Sequence, residues 1–290
     1  MKQKIKRLSA FQIADITLVT ILSVLILAPV LNIFSSSFAS TRALAEGNFI
    51  FFPKEVTLDN YSAVFHDSTI WHAYFISVSK TILGVITHVF FCSMVAFGLS
   101  KRDLRFRNVY TVMGVITLFF SGGMIPTYLL MKKLGLLNNF LVYILPQLFS
   151  YYDVVILMNF FRQIPGSLEE SASIDGAGVW RVFLQIAMPL SKPALATIAL
   201  FNGVYQWNDF MTAKLYMTDT TLYPVQMKLY EIIVQQQAAS MNTIGNVALQ
   251  TTSKGIQLAT IVVTTVPILI IYPLLQKHFV SGMMLGAVKE

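Results

Sequence analysis

Charged side chains are scarce in this chain: Asp, Glu, Lys and Arg make up only 12% of 290 residues, against 55% apolar. That balance excludes an ordinary soluble domain, in which about a quarter of residues are charged. A single cysteine, Cys92, excludes an internal disulfide, and its apolar setting reads as a small filler. No Gly-Lys dipeptide occurs, so there is no phosphate-cradling loop and no nucleotide site of the chain's own. The four histidines, His66, His72, His88 and His278, lack metal-ligand spacing. His88 lies in an apolar run and reads as a packed polar residue. No catalytic constellation, internal repeat or low-complexity linker is present.

What is present is apolar length. Six stretches, near 11–34, 75–99, 109–131, 141–161, 193–212 and 256–275, approach the roughly 20 helical residues needed to cross a hydrocarbon core. Backbone amides in lipid must be satisfied within their own segment, so an all-α polytopic membrane protein with six transmembrane helices is expected. Segments 1–10, 99–107, 162–192 and 276–290 carry 13 Lys and Arg. The opposite segments, 35–74, 132–140 and 213–255, carry seven, so both termini are expected in the cytoplasm. Lys132 and Lys133 run against that rule. The formal net charge of +7 is then an orientation signal that calls for no nucleic acid.

The basic start and apolar core of the N-terminus imitate a signal peptide ending near Ser37-Phe38-Ala39. The core is longer than such a peptide requires and five further spans follow, so a retained first helix is expected. Pro53 and Asp59-Asn60 predict a turn and a short surface helix in the first outside segment. The basic loop at 101–107 is a plain connection, and YPVQMKLYEIIVQQQ has helical spacing. Two spans are expected to be irregular. Ser121-Gly122-Gly123 and Pro126 should bend or unwind the third. Asn202-Gly203 interrupts the fifth, through close helix packing or as part of a water-filled path. Asp153 falls near the middle of the fourth span. A central Asp costs about 2.5–3.5 kcal/mol, and each Leu, Ile, Val or Phe returns about 0.3–0.6. Asp153 is therefore expected to face other helices or water, lining a pathway or holding a structural hydrogen bond.

The segment SLEESASIDGAGVWRVFLQIAMP, residues 167–189, interrupts this apolar chain on the side expected to be cytoplasmic. Ser167 and Glu170 have the spacing of a capping box, and Gly176 or Gly178 can supply a left-handed helix end. Val179, Val182, Phe183 and Ile186 follow at helical spacing, with Arg181 and Gln185 on another face, until Pro189 stops the run. Two short helices with a small-residue elbow suit insertion into a groove of another protein.

These residues resemble the EAA loop of ABC importer permeases. Glu170-Ser171-Ala172, three residues, Gly176, nine residues and Ile186-x-Met188-Pro189 match its pattern, with Ser171 for Ala and Met188 for Leu as departures. FPKEVTLDNYSAVF, YQWNDFMTAKLYMTDTTLYPVQ and HFVSGMMLGAVKE extend the resemblance over nearly the whole chain, toward the second permease of maltose-type carbohydrate importers, oligosaccharide or polysaccharide branch. The resemblance implies a type I permease core over 75–276, after an N-terminal tail, first helix and outside segment (1–74), with the loop at 162–192 and a cytoplasmic tail at 277–290. It implies ATPase docking through Glu170, Ser171, Ala172, Gly176, Ile186 and Pro189, with a further contact at Gly282, Gly286, Ala287 and Val288. Two ABC ATPases would use ATP and Mg, and this chain would bind no cofactor. The other implied partners are a second, homologous permease, an extracellular solute-binding protein and the lipid bilayer of a bacterial plasma membrane.

Asp153, Asn202, Tyr205, Gln206, Trp207, Asn208 and Asp209 are candidate path residues, because amides and aromatic faces suit sugar rings and hydroxyls. Interfacial anchoring is the alternative use of Tyr and Trp. A self-sufficient secondary transporter would call for a repeat, a receptor would use the elbow only to dock, and a non-sugar cargo is compatible with the loop motif alone.

Overall fold

A computed structural model describes residues 9–47, 52–53, 55–242, 254–271 and 273. The described chain is helical apart from one antiparallel bridge between Ala39 and Val56. Its helices are α1 (Ala10–Ser37), α2 (Thr41–Glu46), α3 (Asp59–His66), α4 (Ser68–Ser100), α5 (Arg107–Phe119), α6 (Met124–Lys133), α7 (Tyr151–Phe161) and α8 (Gly166–Ile174). There follow α9 (Val179–Val182), α10 (Met188–Leu190), α11 (Lys192–Asn208), α12 (Met211–Tyr216), α13 (Val225–Asn242) and α14 (Lys254–Ile271). Three helices, α1, α4 and α14, are individually long and apolar enough to cross a membrane. Three bent pairs pass the same test: α5 with α6 (114°), 140–147 with α7 (51°), and the run 179–190 with α11 (80°).

The chain divides into two compact units. One comprises residues through Ser68 together with Glu231–Thr265. Here the end of α1 is held by polar contacts: Ser37 lies 2.6 Å from the Tyr61 hydroxyl, and Asn60 Nδ2 donates to the carbonyls of Ser37 and Ala39, both at 3.0 Å. Gly255 permits a close approach, since a Cβ there would lie 2.4 Å from Asn60 Oδ1.

The second unit spans Thr69–Tyr230 and continues from Val266. Its spine is α4, whose 33 residues would extend about 50 Å, well over a hydrocarbon core of roughly 30 Å. Ala73, Ser77, Lys80, Gly84, His88, Cys92 and Ala96 recur every three or four residues and are all buried, forming one stripe. At one end of α4, Phe97 packs edge-on to Phe161 at 5.9 Å and against Phe183 at 5.3 Å. A second core gathers Ile76, Met131, Tyr143, Met217 and Tyr223.

The third span breaks as expected, with Gly123 at φ +86° before α6. The fourth, expected as one helix, is broken as well. Two 3-10 turns, Phe140–Tyr143 and Leu145–Gln147, precede α7, and Ser150 caps α7 by accepting from the Asp153 amide at 3.3 Å. Pro146 removes a donor and the cap restarts the chain, so Asp153 sits in the first turn of α7 rather than inside one continuous helix. In the fifth, α11 runs unbroken through Asn202 and Gly203, in keeping with the close-packing alternative. Gly203 serves packing, its Cβ direction meeting Val85 at 3.5 Å.

Candidate functional site

Two constellations stand out in the second unit. The first is a ladder of polar contacts along the buried stripe of α4. Ser77 accepts the Val225 amide at 2.8 Å. Lys80 donates to the Asp209 carbonyl at 2.8 Å and pairs with its carboxylate at 3.3 Å, its side chain fully buried. Gln206 occupies the space over Gly84 and donates to the Tyr143 carbonyl at 3.1 Å. His88 Nδ1 donates to the Gln147 carbonyl at 2.5 Å, while Nε2 meets Asp153 at 2.9 Å. Since a carbonyl can only accept, Nδ1 carries hydrogen, and the His88–Asp153 pair shares one further proton without net charge. Lys80, His88 and Gln206, the costliest side chains of this ladder, are thus each paired or hydrogen-bonded.

The candidate path residues divide on this ladder. Asp153 and Asp209 are held by His88 and Lys80. Asn202, Gln206 and Trp207 are buried in the chain, and the Asn202 Oδ1 has no hydrogen-bond partner among the described residues. Tyr205 and Asn208 are exposed, with the Tyr205 hydroxyl accepting from Gln147 Nε2 at 3.2 Å. Lys80 was missed by the sequence reading. Its signal was available: it is the one Asp, Glu, Lys or Arg within 75–99.

The second constellation is the elbow. Its helix α8 starts at Gly166, directly after Pro165, and no side chain caps it. The expected Ser167–Glu170 capping box does not form, because Pro165 already sets the extended entry and Ser167 falls inside the first turn. Glu170 is exposed, while Glu169 pairs with Lys101. Gly176, at φ +76°, ends the helix in a Schellman arrangement: Ala177 N–H donates to Ala172 O at 2.8 Å and Gly176 N–H to Ser173 O at 3.1 Å. Gly178, the alternative, has φ −72°.

The second half runs through α9, a wide π turn at Phe183–Ala187 and α10, and ends at Leu190, one residue past Pro189, where the chain bends by 80° into α11. The wide turn lets the Met188 N–H reach Phe183 O, accommodating a proline that lacks its own donor. Val182 and Phe183 are buried against the α4–α7 core, and Ala172, Ile186 and Met188 pack on it partly. Ser171, Gly176 and Pro189 are exposed. So are large apolar side chains of the outer face: Ile174 is 86%, Val179 71% and Trp180 58% exposed. The tail residues Gly282, Gly286, Ala287 and Val288 lie outside the described residues.

A shell of exposed apolar and acidic groups, braced from behind by the helix core, can bind a protein and pass on its motion. Comparison with known proteins gives the family. Residues 94–285 match the family model "Binding-protein-dependent transport system inner membrane component". The chain is 41% identical over 281 residues to protein LplC of Bacillus subtilis, covering 96% of this chain and 95% of that one. It is also 41% identical over 263 residues to the polygalacturonan/rhamnogalacturonan transport system permease protein YtcP of the same organism, covering 90% and 92%. Among solved structures, a chain of a bacterial ABC transporter involved in import of the acidic polysaccharide alginate superposes with a TM-score of 0.84 at 30% identity, covering 96% of this chain and all of that one. The chain therefore belongs to the inner-membrane permease components of binding-protein-dependent ABC transporters and is not itself an ATPase.

Proposed function

We propose that this permease forms half of the translocation pathway for an oligosaccharide. It would pair with a second permease, receive cargo from an extracellular binding protein, and be driven by two ATPases that use ATP and Mg. The cargo class is supported by a relative named for polygalacturonan and rhamnogalacturonan and by the alginate importer. In this reading each bent pair is one span, giving six with both termini in the cytoplasm, as the Lys and Arg distribution favours. Tyr205 and Asn208 would meet cargo directly. Asp153, Asn202, Gln206, Trp207 and Asp209 would form the wall behind them.

The elbow would face the cytoplasm and dock on an ATPase, and the observation that carries this is its exposed outer face at Ile174, Val179 and Trp180. Glu170, Ser171, Gly176 and Pro189 would lie at or beside that contact, while Ala172 and Ile186 would join it to the core. Gly282, Gly286, Ala287 and Val288 would add a contact from the tail. ATP-driven closure would then shift the balance between two arrangements of the helices through Phe183, Phe97 and Phe161.

The test is Glu170→Lys combined with Gly176→Leu in the assembled transporter. The expected result is loss of ATP-dependent uptake and of ATPase co-purification, with membrane insertion retained. Unchanged uptake and co-purification would overturn the docking role.

A further inference from the structure

The loop between α4 and α5 has features that a plain connection does not need. Phe106 adopts a left-handed backbone at φ +60°, unfavourable for a bulky side chain, and remains 59% exposed. Arg105 stacks over its ring at 5.0 Å. Beside it, Arg102 and Arg107 line a shallow recess of about 430 Å³ with Asn108, and no carboxylate lines it. Among the described residues neither arginine pairs with an acid. The neighbouring Lys101 is taken by Glu169. On the elbow side the same two arginines also border a larger groove, where Lys101 and Arg162 add positive charge and Asp103, Glu169 and Glu170 supply the carboxylates.

At Leu104 the recess adjoins an apolar slot of about 490 Å³ between α4, α5 and α7. The slot runs past Met94, Gly98, Met113 and Gly114 to Thr117. Gly98 faces open space: a Cβ there meets nothing within 4 Å. From Arg107 to Thr117 is ten residues, about 15 Å of helix, or one leaflet of a hydrocarbon core roughly 30 Å thick. A cationic seat at the helix ends, an exposed aromatic ring at the same level and an apolar slot one leaflet deep reproduce the shape and charge of a single phospholipid.

We propose that this is a binding site for an anionic phospholipid of the inner leaflet, its phosphate between Arg102 and Arg107 and an acyl chain in the Gly98 slot. The leaflet assignment rests on the orientation proposed above. A bound lipid would wedge between α4 and α5, next to the core on which the elbow pivots, and so make coupling sensitive to membrane composition.

The test uses the detergent-purified transporter complex exchanged against phosphatidylglycerol or phosphatidylcholine, with retained lipid counted by native mass spectrometry. Phosphatidylglycerol is expected to be retained over phosphatidylcholine. Arg102→Gln with Arg107→Gln should reduce that retention about fivefold for each arginine removed. Gly98→Leu, which fills the slot and leaves both arginines in place, should lower retention of both lipids.

Equal retention of the two lipids by the unmodified complex would overturn the proposal. So would loss of the ATPase with lipid retention unchanged in the arginine variant, which would assign the arginines to a protein contact. Displacement of lipid by millimolar inorganic phosphate, with no effect of Gly98→Leu, would assign them to a free anion and equally overturn it. ATPase co-purification, scored in the same samples, reports on the elbow separately from the lipid.

Discussion

The polar ladder of α4 and the elbow are opposite solutions to the same solvent. Along α4, polar and charged side chains are buried and satisfied within the chain: Lys80 by Asp209, His88 by Asp153 and Gln147, Gln206 by Tyr143. In the elbow, apolar side chains are exposed and left without cover, at Ile174, Val179 and Trp180. The first region is complete in one chain and is therefore a matter of stability. The second would be completed by another protein in the docking role proposed above, since an exposed apolar patch can serve as an interaction surface. Substitutions should separate the two accordingly.

The largest effect is expected from breaking the ladder. Asp209→Ala leaves the Lys80 ammonium buried and unpaired, at a cost of about 3–5 kcal/mol. A fall in the thermal midpoint of the detergent-solubilised protein would register it, and an unchanged midpoint would remove Lys80–Asp209 as a structural element. Next is close packing in the same region. A Cβ on Gly114 would lie 2.0 Å from the Tyr151 ring, so Gly114→Ala should destabilise by about 1–3 kcal/mol in the same measurement.

Trp180→Ala should do the reverse. Its effect on the isolated chain's stability is expected within about 0.5 kcal/mol, while ATPase stimulation by loaded binding protein is lost. A large stability loss with coupling intact would erase the contrast between the regions. The smallest effect concerns a turn belonging to neither. Hydrogen bonds from the Thr221 hydroxyl and amide hold the exposed Asp219 carboxyl below its ordinary value. A folded-state value below the unfolded one means this local support is present above the ordinary carboxylate range and lost as pH falls through the lowered value. Faster hydrogen exchange of the Thr221 amide at acid pH, after allowance for the intrinsic rate, would detect it.

Several of these features are legible in the chain. The break at Ser121-Gly122-Gly123 needs only glycine's freedom and occurs as expected. The EAA pattern is local, and of the two glycines that could end its helix Gly176 takes the left-handed turn. Other features are lost in one dimension. Ser167 had the spacing for a cap, but Pro165 started the helix earlier. Pro189 lies one residue before the end of its run, but the π turn that fits it there leaves no mark in the sequence. The fourth span read as one helix because an apolar run does not reveal that Ser150 restarts the helix just before Asp153.

Membrane residence, the positions of the apolar runs and the docking motif follow from the sequence alone, because lipid partition and short-range helix signals depend on composition and local order. Only the folded chain decides that Lys80 meets Asp209 and His88 meets Asp153, contacts 129 and 65 residues apart along the chain. A charge in an apolar run announces that it needs a partner, but which partner depends on where distant helices bring their side chains.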